Sequence, residues 1–239
     1  MKRIMLLTFL LSAFIFTVAA KPQVRVLVVT GGHNYNKQTF NEMLNSLGNQ
    51  FTWEVVEFPA AFKMFLPENR GNYDVLLFYH MWQKITPEEQ NAFASCIRNG
   101  KPVVALHHSI CAFDDWEEYW RIIGGKYFHK PTVLDGKEYP ACSYIHDLRF
   151  NVKVAAKHPV TRGVSDFEIF DETYKGYWVS PDVKDLLTTD EPSSTPVIGW
   201  TKTYGKSKIV VLQSGHDTPT FQNPNFRQLL KQAILWVNK

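Results

Sequence analysis

An open, mostly parallel α/β sheet flanked by helices is the fold class this sequence predicts, and three observations predict it. Apolar runs typical of strands buried on both faces recur along the amino-terminal half, as in Val103-Val104-Ala105-Leu106. Stretches with helical periodicity alternate with them, the order required by right-handed crossovers between parallel strands. Polar residues then begin where four of these runs end: Thr30-Gly31-Gly32-His33, Tyr79-His80, His107-His108-Ser109 and Gln213-Ser214-Gly215-His216-Asp217. In an open parallel sheet the carboxyl ends of the strands line the ligand crevice, so these termini are the predicted functional edge.

The first twenty residues read as a secretory signal peptide. Met1-Lys2-Arg3 is a short basic region, Ile4 to Thr17 an apolar core, and Val18-Ala19-Ala20 a small-residue cleavage site before Lys21. The apolar run is short for a membrane span. An exported protein, periplasmic or extracellular, is expected, with an uncleaved amino-terminal anchor as the alternative. Removal of 1–20 takes Lys2 and Arg3 from a precursor of net charge +3, leaving +1. So balanced a charge, with scattered basic residues, argues against nucleic acid and suits a neutral sugar or polyol. Residues 21–239 are expected to form a single domain.

Val24 to Thr30 is the first mature strand, and Gly31-Gly32 turns it into a helix over Lys37 to Leu47, with Phe40, Met43, Leu44 and Leu47 on its buried face. Gly48 ends that helix. Phe51 to Phe58 is the second strand, Ala60 to Leu66 a weaker helical piece, and Tyr73 to Tyr79 the third strand. Thr86-Pro87-Glu88-Glu89 combines an N-cap, a proline at the first helical position and a capping-box glutamate. Phe93 and Ile97 share a face of the helix that follows, and Gly100 closes it. After the central strand, Asp114 to Trp120 opens a helix that stops at Gly124-Gly125.

Residues 126–150 are turn-rich and aromatic, and are read as a loop or flap bordering the site. Asn151 to Ala155 and Phe167 to Phe170 are short strand candidates. Val197 to Thr201 and Lys208 to Gln213 are expected to pair across Tyr204-Gly205, and the last helix covers about Asn225 to Val237.

His33, His107, His108, His129 and His216, with Glu172, are the polar residues most economically gathered into one crevice. Neutral imidazoles and a carboxylate form an ordinary site for a divalent transition metal such as zinc, for which His33, His108, His129, His216 and Glu172 are the candidate ligands. No compact motif such as HExxH is present, so the fold must assemble any such site. In a metal-free alternative, His108 or His216 exchanges protons while Glu172 supplies the complementary acid or orients a histidine. Ser109 lacks the glycine frame of a nucleophile elbow, which favours a turn-fixing role. Trp82, Trp116, Tyr127, Phe128 and Trp178 are candidates for an apolar platform beside a sugar ring, although each taken singly reads as packing. Gly31-Gly32-His33 falls short of a nucleotide-binding loop. Cys96, Cys111 and Cys142 are odd in number and make no disulfide framework. Cys96 reads as core, Cys111 follows the central element, and a Cys111–Cys142 bridge is compatible with the sequence.

Taken together, several motifs resemble the ThuA-like, trehalose-utilisation family. They are Gly31-Gly32-His33, His107-His108-Ser109, the segment from Trp116 to Ile123-Gly124-Gly125-Lys126-Tyr127-Phe128-His129, His158-Pro159-Val160-Thr161-Arg162-Gly163, Asp171-Glu172-Thr173-Tyr174, Pro196-Val197-Ile198-Gly199-Trp200 and Ser214-Gly215-His216-Asp217. The resemblance covers nearly all of the mature chain. It implies a flavodoxin-like sheet similar to class I glutamine amidotransferase domains. It also implies a role with trehalose or related, including oxidised, disaccharides. Amidotransferases of that fold carry a catalytic cysteine after the central strand. This chain has His108-Ser109 there, with Cys111 displaced, so amidotransfer is not expected.

The function expected is therefore a secreted carbohydrate-active hydrolase or lyase acting on a small carbohydrate or keto-sugar. His108, Glu172 and His216 are its catalytic candidates, and His33, His107, Ser109, Trp116, His129, Trp178 and Asp217 would contact substrate. A noncatalytic glycan-binding or accessory protein is the alternative reading.

Overall fold

The computed structural model describes residues 23–239, so the expected signal peptide, residues 1–20, lies outside the described residues. The elements follow in the order β1 (Val24–Gly31), α1 (Lys37–Ser46), β2 (Phe51–Glu57), β3 (Val75–His80), α2 (Pro87–Arg98), β4 (Val103–Leu106), α3 (Glu117–Ile123), β5 (Gly125–Lys126), β6 (Thr132–Leu134), β7 (Lys137–Tyr139), β8 (Ser143–Val154), β9 (Phe167–Lys175), β10 (Trp178–Val179), β11 (Lys184–Thr188), β12 (Val197–Tyr204), β13 (Ser207–Leu212), α4 (Thr218–Gln222) and α5 (Pro224–Val237).

One nine-stranded sheet carries the molecule, in the order β2-β1-β3-β4-β13-β12-β11-β8-β9. From β2 to β13 every neighbouring pair is parallel, and from β13 to β9 every pair is antiparallel. The sheet is open and α/β, as the apolar runs predict, but it is mixed rather than mostly parallel. The physical reason lies in the connections: a parallel neighbour needs a crossover, whereas β12 and β13 join through the tight turn at Gly205 and can only return antiparallel.

The inner parallel strands β1, β3, β4 and β13 are buried on both faces, and their alternate side chains feed two cores, whereas β2 at the edge is largely exposed. Leu27, Val29, Leu76, Phe78, Val103 and Ala105 face α2 and α3, packing on Phe93, Ile97, Tyr119 and Ile123. Val26, Val28, Leu77, Tyr79, Val104 and Leu106 face α1 and α5, packing on Phe40, Leu44, Phe226 and Leu230. Cys96 is a buried member of the first core, as read from the sequence. The Thr86 capping box forms as expected: the Thr86 hydroxyl accepts from the Glu89 amide, and the Glu89 carboxylate accepts from the Thr86 amide.

Residues 126–150 are more regular than a flap. They contain the hairpin of β6 and β7 and the first two thirds of β8, whose pairing with β9 extends over Ser143–Val152. A β-bulge between Ile145 and Leu148, with Asp147 at φ 57°, bends this ribbon. Strand β9 likewise continues past the expected Phe170 to Lys175, so Glu172 sits within a strand. Strand β11 and helix α4 carry no clear sequence pattern and emerge only in the structure.

Candidate metal centre and its two cavities

The site forms where the ends of the parallel strands meet the β8–β9 ribbon. Strand β4 stops at Leu106, and His107 turns the chain through a positive φ of 44° into a short 3₁₀ turn, His107–Cys111. Non-glycine residues rarely adopt that conformation, and such strain is concentrated at functional positions. The elbow residue of this chain is therefore His107. Cys111 lies at the far end of the turn, fully buried, with burial pushing its thiol pKa well up. That is the opposite of an activated nucleophile. Cys111 and Cys142 are both free, and the Cys142 sulfur accepts from the Phe128 amide.

His107 is held from both ring nitrogens. Its Nδ1 lies 2.6 Å from the Gln213 carbonyl, which can only accept, so Nδ1 carries a hydrogen. Nε2 then faces Glu172 Oε2 at 2.9 Å, His216 Nδ1 at 3.2 Å and the Tyr174 hydroxyl at 3.0 Å. His216 Nδ1 is itself 3.2 Å from Glu172 Oε2. A ring lone pair and a carboxylate oxygen at such separations repel unless a cation, either a shared proton or a metal ion, lies between them.

His108 completes the group. One ligand atom each from His107, His108, Glu172 and His216 lies within 4.8 Å of the others, and the first three residues are buried. The buried His108 Nδ1 has no hydrogen-bond partner. Three imidazoles and a carboxylate, with that orphaned nitrogen, fit a divalent metal ion.

Electrostatics separates the members. Burial alone would raise the Glu172 pKa, but the hydrogen bonds from His107 and His216 outweigh it and hold the carboxyl well below the usual carboxylate range. Burial lowers His216, but its hydrogen bond and charge interaction with Glu172 prevail, and its pKa is raised. Burial, reinforced by the neighbouring histidines, drives His108 far down and keeps it neutral.

Asp171, adjacent to Glu172, braces the site from behind. Its Oδ2 accepts from the Gly215 amide and Oδ1 from the amides of His216 and Glu172, each at 2.9 Å. Gly215, at φ 130°, makes the turn that brings His216 over the cluster.

The other sequence candidates fall around this group. His33 stacks on His108 with ring centroids 4.3 Å apart. Its two nitrogens face the carbonyls of Tyr79 and Asn34, so it packs beside the ligand group instead of joining it. The turn that positions it needs glycine: Gly32 is at φ 84°, and a Cβ there would fall 1.8 Å from the Met81 carbonyl oxygen. His129 is also outside the group, bonded to Trp82 and Asp114. The Ser109 hydroxyl donates to the Phe78 carbonyl at 3.0 Å in a fully buried position, which makes it a turn-fixing residue. Trp116 and Trp178 are core side chains, and Trp178 lines neither cavity described below. Asp217 is exposed and precedes α4.

One cavity adjoins the cluster, and a second borders the first. The first, the smaller at about 180 Å³, is lined by His108, Glu172, Tyr174, Tyr127, Tyr144 and His146 among others. A larger cleft of about 700 Å³ lies beside it, and Trp82 and His129 line both. His146 is the main residue that sequence reading missed. The β8 bulge turns it towards the site, with Nδ1 3.2 Å from Glu172 Oε1. An isolated histidine within an aromatic stretch is its only trace in the sequence. Tyr174 and Asp171 belong to the Asp171-Glu172-Thr173-Tyr174 motif, of which Glu172 alone is a predicted site residue.

The profile of a family described as ThuA, trehalose utilisation, matches residues 25–237. Among solved structures, a ThuA-like protein from Parabacteroides merdae is 22% identical with a TM-score of 0.74, the match covering 92% of this chain and 91% of that one. A ThuA-like protein from Bacteroides uniformis is 20% identical with a TM-score of 0.69, covering 94% and 95%. A glutamine amidotransferase from Thermotoga maritima shares the fold at 12% identity and a TM-score of 0.51, covering 92% and 100%. No curated protein matches the sequence.

Proposed function

Because the chain belongs to the ThuA trehalose-utilisation family, we propose that it is an exported carbohydrate-active hydrolase or lyase. Its substrates in this reading are trehalose-related or oxidised disaccharides. Its cofactor is a divalent transition metal, with zinc the leading candidate. The observation that carries the reading is the convergence of His107 Nε2, Glu172 Oε2 and His216 Nδ1 at 2.9–3.2 Å, beside a cavity walled by tyrosines.

Catalytic zinc sites take three protein ligands and leave a position open. His107, Glu172 and His216 make the closest approaches and would hold the ion, which when bound supplies Lewis acidity towards a sugar oxygen. His108, neutral and lining the smaller cavity beside these ligands, is the imidazole placed to exchange a proton with a sugar bound there. The Gln213 carbonyl, accepting from His107 Nδ1, fixes that ring with Nε2 towards the site, and the Asp171 carboxylate fixes the His216 turn.

The same geometry disfavours ordinary glycosidase chemistry, which needs two working carboxylates. The oxygens of Asp171 are taken up by three backbone amides, leaving Glu172 as the acid that lines the smaller cavity.

The test uses the mature chain from Lys21, its metal content measured before and after chelation. Trehalose and keto-disaccharides are supplied with and without added divalent metal, and products are followed by mass spectrometry. Product formation that needs the metal and is lost in His108→Ala and Glu172→Gln is the expected result, with product masses separating hydrolysis from elimination. Saturable sugar binding without product would establish the noncatalytic glycan-binding or accessory role instead.

A further inference from the structure

The larger cleft takes no part in the chemistry above, yet it shares two wall residues with the smaller cavity. We propose that it is a second sugar subsite, with Trp82 as the aromatic platform on which the second ring of a disaccharide rests. This inference depends on the carbohydrate reading of the site.

Size is the first argument. Pockets that enclose whole drug-sized ligands run to roughly 300–1,000 Å³. The cavity beside the metal ligands, at about 180 Å³, has room for only part of a disaccharide, whereas the adjoining cleft, at about 700 Å³, lies within that range. A two-ring ligand with one ring against His108 and Glu172 must pass Trp82 and His129, the residues common to both spaces.

Trp82 is the second argument. It is 59% exposed, the most open of the tryptophans among the described residues, and its backbone is held at φ 31°. An exposed aromatic in that conformation persists only when its surroundings fix it. Here a chain of hydrogen bonds does so. Trp82 Nε1 donates to His129 Nε2 at 2.8 Å; an indole N–H can only donate, so that nitrogen accepts and His129 Nδ1 donates to Asp114 at 2.9 Å. Asp114 in turn accepts from Lys126, at 2.6 Å, whose side chain is 1% exposed and also bonds the Ala112 carbonyl. An indole on the surface is thereby anchored to the interior.

Wall chemistry is the third argument. Phe113 and Trp116 add apolar surface, while Lys84, Gln90 and Asp115 supply donors and acceptors around it. Apolar faces bordered by polar groups match the C–H face and hydroxyl rim of a pyranose.

The test is calorimetric titration of the mature protein with a one-ring probe, methyl α-glucoside, and a two-ring probe, trehalose, each also as its keto form. The expected result is tighter binding of the two-ring probes. Trp82→Ala should remove that advantage, weakening two-ring binding about 10-fold and the one-ring probes by less, since Trp82 also lines the smaller cavity. Trp82→Phe, which keeps a ring, should retain most of it, and Gln90→Ala, on the far wall, should weaken only the two-ring probes. Unchanged melting temperatures establish that the variants fold. Equal affinity for the two sizes, or equal loss of both in Trp82→Ala, overturns the second subsite while leaving the carbohydrate reading in place. Failure of the wild type to bind any of the four probes overturns both.

Discussion

The two halves of the sheet contribute to the candidate site in different ways. The parallel half delivers its groups from strand ends: His33 follows β1, His107 and His108 follow β4, and His216 follows β13. The antiparallel half delivers Glu172, Tyr174 and His146 from within paired strands, bent over the first half by the β8–β9 ribbon. A strand end is placed by chain topology alone, whereas a mid-strand side chain is placed by register and curvature. The parallel half therefore provides a scaffold of imidazoles, and the antiparallel half provides the negative charge that turns them into a candidate metal centre.

If that division is right, the largest effect belongs to the charge. Glu172→Gln keeps the shape and removes the anion, and zinc affinity measured by competition with a chromophoric chelator is expected to fall more than about 100-fold, beyond the range typical of groups that merely orient a ligand. An unchanged affinity would mean that the histidines of the parallel half suffice.

Asp171 joins the two halves, since it sits on β9 and holds the backbone amides of Gly215 and His216 after β13. Asp171→Asn should reduce zinc affinity by about 10–100-fold. The free His216 loop should also become more accessible, measurable as faster amide hydrogen exchange at Gly215 and His216. Loss of affinity without faster exchange would mean that Asp171 acts through its charge instead of its hold on the loop.

The smallest effect concerns the rim between the cavities. Burial would raise the Asp114 pKa, but hydrogen bonds from His129 and Lys126 outweigh it and bring it to about 2, from the ordinary 3.8. A folded-state pKa below the unfolded one means stability that is present in full above about pH 4 and lost as the pH falls towards 2. Because Asp114 is substantially exposed, the contribution is small. Urea midpoints of wild type and Asp114→Asn should therefore differ at pH 5 and converge between pH 4 and 2. A gap that does not narrow would show that the carboxylate is not the stabilising partner of Lys126.

What was legible in the sequence follows the same division. The apolar run Val103 to Leu106, the helical face of Phe40 and Leu44 and the capping box at Thr86 are local patterns, and the structure repeats them with shifts of a residue or two. His107, His108 and His216 could be placed at one edge because buried parallel strands all end on the same side. Nothing local in the sequence marks His107 as the elbow, since its positive φ is visible only in the folded chain. Residue type alone groups His129 with the other histidines, and only the structure shows both of its nitrogens engaged by Trp82 and Asp114. His146 escaped notice because a β-bulge reverses the face a residue presents, and the alternating pattern carries no trace of that reversal.

The sequence by itself determined the α/β class, the order of the elements through the parallel half, the set of histidines at the strand ends and, through its motifs, the family. It could do so because burial periodicity, caps and turns are encoded within a few residues. Only the tertiary structure decided that half of the sheet is antiparallel, which atoms of His107 and Glu172 meet, that His146 joins them, and that Trp82 lines two cavities. Those facts depend on contacts between residues dozens of positions apart, such as His107 with Glu172 and Trp82 with His129. No short window of the chain specifies them, because each is fixed by the curvature and register of the assembled sheet.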